Sequence, residues 1–273
     1  MMWTSRQRAM LEAMGLRLWA GSSETAFGVG PREASEAPIQ APTAAFIDRT
    51  ATAGPTPPDA AAASVVTRSE LPMGERSQRI ATMGWPELRA AVASCVACSL
   101  CRNRTNTVFG IGNARAHWMI VGEAPGEQED LRGEPFVGKS GQLLDNMLRA
   151  LQLTRGDDAP TRQVYIANTL KCRPPANRNP ESAELAQCEP FLVRQVELVR
   201  PGIILAMGRF AVQALLRSNE PIGKLRGRVH RYHGVPLVVT YHPAYLLRNP
   251  QDKARAWDDL CLALDVARPH DAP

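Results

Sequence analysis

A chain of 273 residues, 44% hydrophobic and 22% charged, has the apolar content to fold as one or two domains. Lys and Arg outnumber Asp and Glu by 32 to 27, a formal charge of +5, which suits a polyanionic partner without requiring one. Six cysteines in this length do not make a small secreted disulfide scaffold, and the sequence has neither a signal-peptide core at its start nor a run of 18 apolar residues to span a membrane, so a cytoplasmic enzyme with no membrane partner is the expectation.

Residues 1–20 place Met10, Leu11, Met14, Leu16, Leu18 and Trp19 at the spacing of a short amphipathic helix. This segment reads as a frayed terminal helix or as a tethered docking peptide for a protein partner. Residues 21–82 follow as a linker rich in Ala, Pro, Ser, Thr and Glu. So few large apolar side chains cannot offset the chain entropy of folding, which predicts a disordered N-terminal extension. A folded domain is expected over residues 83–268.

Within that domain, apolar runs at 117–121, 164–167, 203–207 and 237–240 have the character of buried strands. Helical patterns alternate with them. Leu143, Leu144, Met147, Leu148 and Leu151 share one face, as do Trp257, Leu260, Cys261 and Leu264. This alternation predicts an α/β fold, a three-layer α/β/α sandwich around a central four-stranded parallel sheet. Ligands of such sheets bind beyond the carboxyl ends of the strands. There the sequence puts the turn 122–126, then Asn168, Gly208 and the segment Tyr241-His242-Pro243. Four distant stretches are expected to meet at one edge.

Three groups of residues carry candidate chemistry. The turn Gly122-Glu123-Ala124-Pro125-Gly126 brings main-chain amides close to a ligand and precedes the acidic Glu127, Glu129 and Asp130. An ordinary turn with a solvated acidic face is the plain alternative. The segment from Tyr241 to Pro250 holds Leu246 and Leu247 between prolines, with Arg248 beside them. Such leucines either wedge into a base stack or pack beneath their own loop. Cys95, Cys98 and Cys101 repeat a C-x2-C step, with Cys172 and Cys188 further along. That grouping points to metal, and four thiolates would suit zinc or an iron–sulfur cluster equally.

Taken in order, Glu123 to Asp130, Pro135-Phe136-Val137-Gly138, Val164-Tyr165-Ile166-Ala167-Asn168, Lys171-Cys172-Arg173-Pro174-Pro175 with Asn177-Arg178, and the His242 loop resemble the family 4 (iron–sulfur) uracil-DNA glycosylases. The resemblance runs from about Cys95 to Pro250. It implies a [4Fe–4S] cluster on Cys95, Cys98, Cys172 and Cys188, with Cys101 dispensable. It implies a monomer acting on uracil-containing DNA, double- or single-stranded, which flips uracil out and hydrolyses its glycosidic bond. Phe136 would stack on the flipped ring, and Asn168 would read its edge. His242 would donate to the 2-carbonyl oxygen as charge develops there. Glu123, or else Glu129, would position water, since the site that is acidic in the best-known uracil glycosylases is Ala124 here. Leu246 would fill the vacated stack. Arg102, Arg104, Lys139, Lys171, Arg173, Arg178, Lys224, Arg226, Arg228 and Arg248 offer phosphate contacts. Two rival readings keep the fold: a protein that traps uracil-DNA covalently, and a module that binds it without turnover.

Overall fold

The computed structural model describes residues 73–268; the segment 1–20 and the linker up to residue 72 lie outside the described residues. The expected domain start at 83 comes too late, because Met73–Thr82 is already a helix, α1, followed by α2 (Trp85–Ala93). The polar sequence of α1 conceals it. Its one buried apolar side chain, Ile80, joins Leu88 and Val92 of α2, Leu100, Phe109, Leu170 and Phe191 in a small core beside the cysteines.

The chain continues as β1 (Ile111–Gly112), β2 (Trp118–Gly122), α3 (Glu127–Arg132), α4 (Lys139–Ala150), β3 (Val164–Asn168), α5 (Ser182–Val199) and β4 (Ile203–Met207). It ends with α6 (Arg209–Leu216), α7 (Ile222–Leu225), β5 (Val229–Tyr232), β6 (Val235–Thr240), α8 (Pro243–Arg248) and α9 (Lys253–Ala267). Among the described residues the sheet has six strands, ordered β1-β3-β2-β4-β6-β5. The inner four, β3, β2, β4 and β6, are parallel, as the sequence predicts. Both outer strands are antiparallel additions that the four-strand expectation misses. β1 is only two residues long, and β5 leaves Val229 and Arg231 exposed, so neither has the continuous apolar run of a buried strand.

Every residue of β2, β3 and β4 is buried, which is what a sheet covered on both faces requires. One face, with Trp118, Ile120, Val164, Ile166 and Leu205, packs on Leu144, Met147 and Leu148 of α4 and on Trp257 and Leu260 of α9. The other, with Met119, Val121, Ile204, Ala206 and Val239, packs on Leu192 and Val196 of α5 and on Val212 and Leu215 of α6. Burial of each such side chain contributes about 1.5–3 kcal/mol, so the sandwich is a rigid base. Register then decides where the chemistry lies. Gly122 stands opposite Asn168, and Met207 opposite Thr240, so β2, β3, β4 and β6 end at one edge. No helix among the described residues is long and apolar enough to cross a membrane.

Candidate active site

Above that edge lies a cleft of about 930 Å³ whose lining includes Glu123, Ala124, Glu129, Phe136, Asn168 and His242. Five of the residues named from sequence for base recognition and chemistry, together with Ala124, thus come from the turn after β2, α3, the 136 segment, the end of β3 and the turn after β6 to one place. The floor is tight. A Cβ on Gly122 would press on the Asn168 Oδ1 atom and on the edge of the Phe136 ring. Glycine here is what lets the amide and the ring share the space over the strand end.

Asn168 is 2% exposed, and its Oδ1 has no hydrogen-bond partner. A buried carbonyl oxygen left unpaired costs about 1–3 kcal/mol, which marks it as a group waiting for a donor. The Phe136 ring is buried and lies stacked against the His242 imidazole, with centroids 5.3 Å apart and planes 25° from parallel. A flat apolar wall therefore faces a polar amide across the cleft.

His242 is the N-cap of α8, and its Nδ1 accepts the Ala244 N–H at 3.1 Å. That bond assigns the proton of the neutral ring to Nε2, which becomes a donor. Burial pushes the imidazole down to about 4, with Glu129 acting in the opposite sense. At neutral pH the ring is an uncharged donor with fixed orientation.

The two candidate carboxylates have different settings. Glu123 accepts the Phe210 N–H at 3.1 Å through Oε1, and burial raises its carboxyl above the ordinary value against the opposing pull of main-chain amides and Arg209. Gly208, at φ +94, makes room: a Cβ there would collide with that same oxygen. Glu129 is fully committed instead. Its Oε2 accepts Gly126 N–H at 3.1 Å, and its Oε1 accepts Val137 N–H at 2.9 Å and Gly138 N–H at 3.3 Å. It ties the 122–126 turn to the Phe136 segment, a bracing role it fills from within the cleft wall.

Leu246 needs a correction. It is 0% exposed and belongs to the core cluster under α9, whereas Leu247 beside it is 44% exposed. The segment after His242 is a helix, not an extended loop, and one turn of helix carries position 246 inward and 247 outward. The packing alternative holds for Leu246.

Away from the cleft, Cys95, Cys98, Cys101, Cys172 and Cys188 line a second, small hollow together with Arg104 and Lys171. Burial raises the thiols of Cys98 and Cys172 and pushes Cys188 up to about 12. Arg104 Nη1 points at Cys172 Sγ at 3.2 Å, Arg76 Nη2 at Cys95 Sγ at 3.6 Å, and the Lys171 N–H at Cys188 Sγ at 3.3 Å. Among the described residues no three His, Cys, Asp or Glu side chains are close enough to grip a single metal ion. Cys261 sits partly buried against the core of α9 and takes no part.

Several of the basic residues named for phosphate have other work. Lys171 is 1% exposed and donates to the Asn168 carbonyl at 2.7 Å and to Gln195 at 2.6 Å. Arg226 is paired with buried Asp259 at 3.0 Å, and Arg178 with Glu184 at 2.6 Å. Arg248 remains exposed on the cleft wall. His117 and His230 bond main-chain carbonyls, as structural histidines do. Sequence reasoning missed Arg209 and Phe210, whose amides and side chains meet Glu123 and the cleft. Their place directly after the Gly208 strand end was the available signal. It also missed the far wall at Asn219, Pro221 and Ile222, which no motif marks.

A sequence profile of the uracil DNA glycosylase superfamily matches residues 109–261, a span that holds every residue lining the cleft. The type-4 uracil-DNA glycosylase of Archaeoglobus fulgidus is 44% identical over 168 residues, 59% of this chain and 81% of its own length. That of Thermotoga maritima is 43% identical over 166 residues, 60% of this chain and 83% of its own. A type-5 uracil-DNA glycosylase from Pyrobaculum aerophilum is 32% identical over 151 residues, 50% of this chain and 66% of its own.

Proposed function

The chain belongs to the uracil DNA glycosylase superfamily, and on that premise we propose that it excises uracil from DNA as a type-4 enzyme does, through the groups gathered in the cleft. It is a DNA glycosylase, a hydrolase of N-glycosidic bonds that starts repair by leaving an abasic site. The observation that carries the residue assignment is the meeting of Phe136, Asn168 and His242 over Gly122, with the Asn168 oxygen unpaired. All these groups come from one chain, so the reading needs no second copy.

A base in a duplex is out of reach, and flipping it out costs a few kcal/mol that the cleft must return. Phe136 offers its face to the ring. The Asn168 Oδ1 accepts from the uracil imide N–H while its amide donates to the 4-carbonyl. Cytosine offers the reverse polarity at that edge, and the unpaired group discriminates against it by about 10⁴-fold. The bond between the sugar C1′ and the base N1 then breaks, its electron pair passing to the base and building charge on the 2-carbonyl oxygen. His242 Nε2–H, aimed by the Ala244 bond, stabilises that charge as it develops, and a neutral ring suffices. Water adds its oxygen to C1′ and gives up a proton. Glu123 is the carboxylate we assign to that water, because it lines the cleft beside the strand end, whereas Glu129 is drawn into three main-chain bonds that brace the 122–126 turn against the Phe136 segment. Leu247 and Arg248, exposed together at the end of α8, are placed to fill the stack and to meet phosphate.

The cysteine hollow fits a [4Fe–4S] cluster held by Cys95, Cys98, Cys172 and Cys188, as the resemblance implies. Cationic and main-chain N–H donors around the thiols suit the sulfur-rich, negatively charged group that the resemblance implies. Bound there, the cluster would supply cross-linking between the 95–101 turn and the strand end, with no redox step in the reaction.

The test is incubation with uracil-containing DNA in single- and double-stranded form, followed by alkali. Strand scission at uracil is the expected result. A stable protein–DNA adduct would replace turnover with trapping, and retention of DNA with neither outcome would reduce the protein to a binding module.

A further inference from the structure

Phe136 holds its ring over the cleft floor from a backbone that phenylalanine seldom adopts, with φ +56 in the left-handed region. Strain of this kind persists only where the surroundings over-determine it. Three features do so. Glu129 accepts the N–H groups of Val137 and Gly138 on the cleft side. Gly141, in the first turn of α4, lets the helix backbone approach the Phe136 carbonyl so closely that any Cβ would collide with it. Behind both, Arg155 Nη1 donates to the carbonyls of Pro135 at 2.9 Å and Phe136 at 3.0 Å.

Arg155 comes from the loop after α4, and it does not line the cleft. Its Nε is fixed by Asp145 of α4 at 2.7 Å, the side chain is 17% exposed, and its Nη2 is buried without a partner. With Nε committed to Asp145 and Nη2 unsatisfied, the contacts that reach the Phe136 segment are the two Nη1 bonds to the carbonyls. Those carbonyls flank the peptide on either side of the strained residue. We propose that Arg155, aimed by Asp145, is a positioning residue for uracil recognition, holding Phe136 in its left-handed conformation so that the ring is pre-set for the flipped base. Without it the Phe136 backbone relaxes toward ordinary φ and the ring leaves the cleft wall. This rests on the reading that Phe136 stacks on the base.

A double-mutant cycle on the full-length, cluster-loaded protein tests it, using Arg155→Met, Phe136→Ala and the double variant, with free uracil as the probe ligand. Inhibition by uracil and KM for a uracil-containing oligonucleotide are measured, and visible absorbance and melting are followed in parallel. Arg155→Met should weaken both about tenfold in the parent, and scarcely at all when Phe136 is already Ala, because the two act as one unit. Arg155→Lys, able to reach one carbonyl, should fall between. Effects that simply multiply would overturn the proposal and leave Arg155 a structural residue. Phe136→Ala without any loss of uracil binding would sink the stacking reading itself, a distinguishable failure. If Arg155→Met does not fold, Asp145→Asn, on a carboxylate 42% exposed, carries the same cycle with a smaller expected effect of the same sign.

Discussion

The cleft and the cysteine hollow share one strand end, for Asn168 and Cys172 lie on the same short stretch and Lys171 joins them through its side chain and its amide. They are built on opposite terms. In the cleft, main-chain amides fix the polar side chains: Phe210 holds Glu123, Ala244 holds His242, and three amides hold Glu129. Those groups are in place before any ligand arrives. In the hollow, long side chains reach toward the sulfurs, Arg76 to Cys95 and Arg104 to Cys172, and burial raises the thiol of Cys188. The cleft and the hollow share no lining residue, so the cluster proposed for the hollow would brace the platform of the cleft without touching it. Damage to the two regions should separate cleanly into lost chemistry and lost fold.

The largest effect is expected from the hollow. Cys188→Ala should abolish the broad visible absorbance of a cluster and unfold the helical start of the domain. The binding free energy of a structural metal, about 10 kcal/mol or more, is as large as a typical domain's whole stability. Circular dichroism and absorbance would follow both losses. A variant that stays folded, colourless and fully active would break the comparison at its root, because the platform would then not need its cross-link.

His242→Ala attacks the other region and should leave the fold and the colour alone. Removing one donor to a developing oxyanion costs about 10²–10³ in kcat. DNA affinity, measured by anisotropy, should hold. The loss of the α8 cap costs about 1 kcal/mol of stability, too little to unfold a rigid sandwich. Equal loss of binding and turnover would make His242 a structural residue.

How much of this could be read beforehand follows the same division. β2, β3, β4 and β6 are buried on both faces, so their apolar runs announced them, and the rule that ligands sit at their carboxyl ends brought Glu123, Asn168 and His242 together correctly. β1 and β5 are exposed or short, and α1 buries one apolar residue, so composition gave no signal for them. Leu246 was misplaced because a helix and a loop put the same position on opposite sides. Arg155 escaped notice because its partners are carbonyls, which carry no mark in the sequence.

Protonation sharpens the roles within the cleft. Burial keeps His242 neutral down to about 4, while it raises the Glu123 carboxyl above its ordinary value. On lowering the pH, Glu123 therefore takes up its proton above the ordinary carboxylate range. A base for water must be ionised, so turnover should fall as pH drops through the raised Glu123 value. Glu123→Gln should cost about 10²-fold in kcat and erase that acid limb, leaving a flat profile to near pH 4. An acid limb unchanged in the variant would remove Glu123 from the reaction.

The smallest effect tests the corrected wedge. Leu247 stands exposed at the tip of α8, and Leu246 lies under it in the core. Leu247→Ala should weaken action on double-stranded uracil-DNA by about tenfold, the worth of one small apolar contact, and spare the single-stranded substrate, which has no stack to refill. Leu246→Ala should act the other way, with a stability loss of about 2–5 kcal/mol from its cavity and no preference between substrates. Comparing kcat/KM on the two DNA forms with melting curves tells the leucines apart. If Leu246→Ala were the variant that selectively lost duplex activity, the helix at α8 would have to unwind on DNA and the two positions would exchange roles.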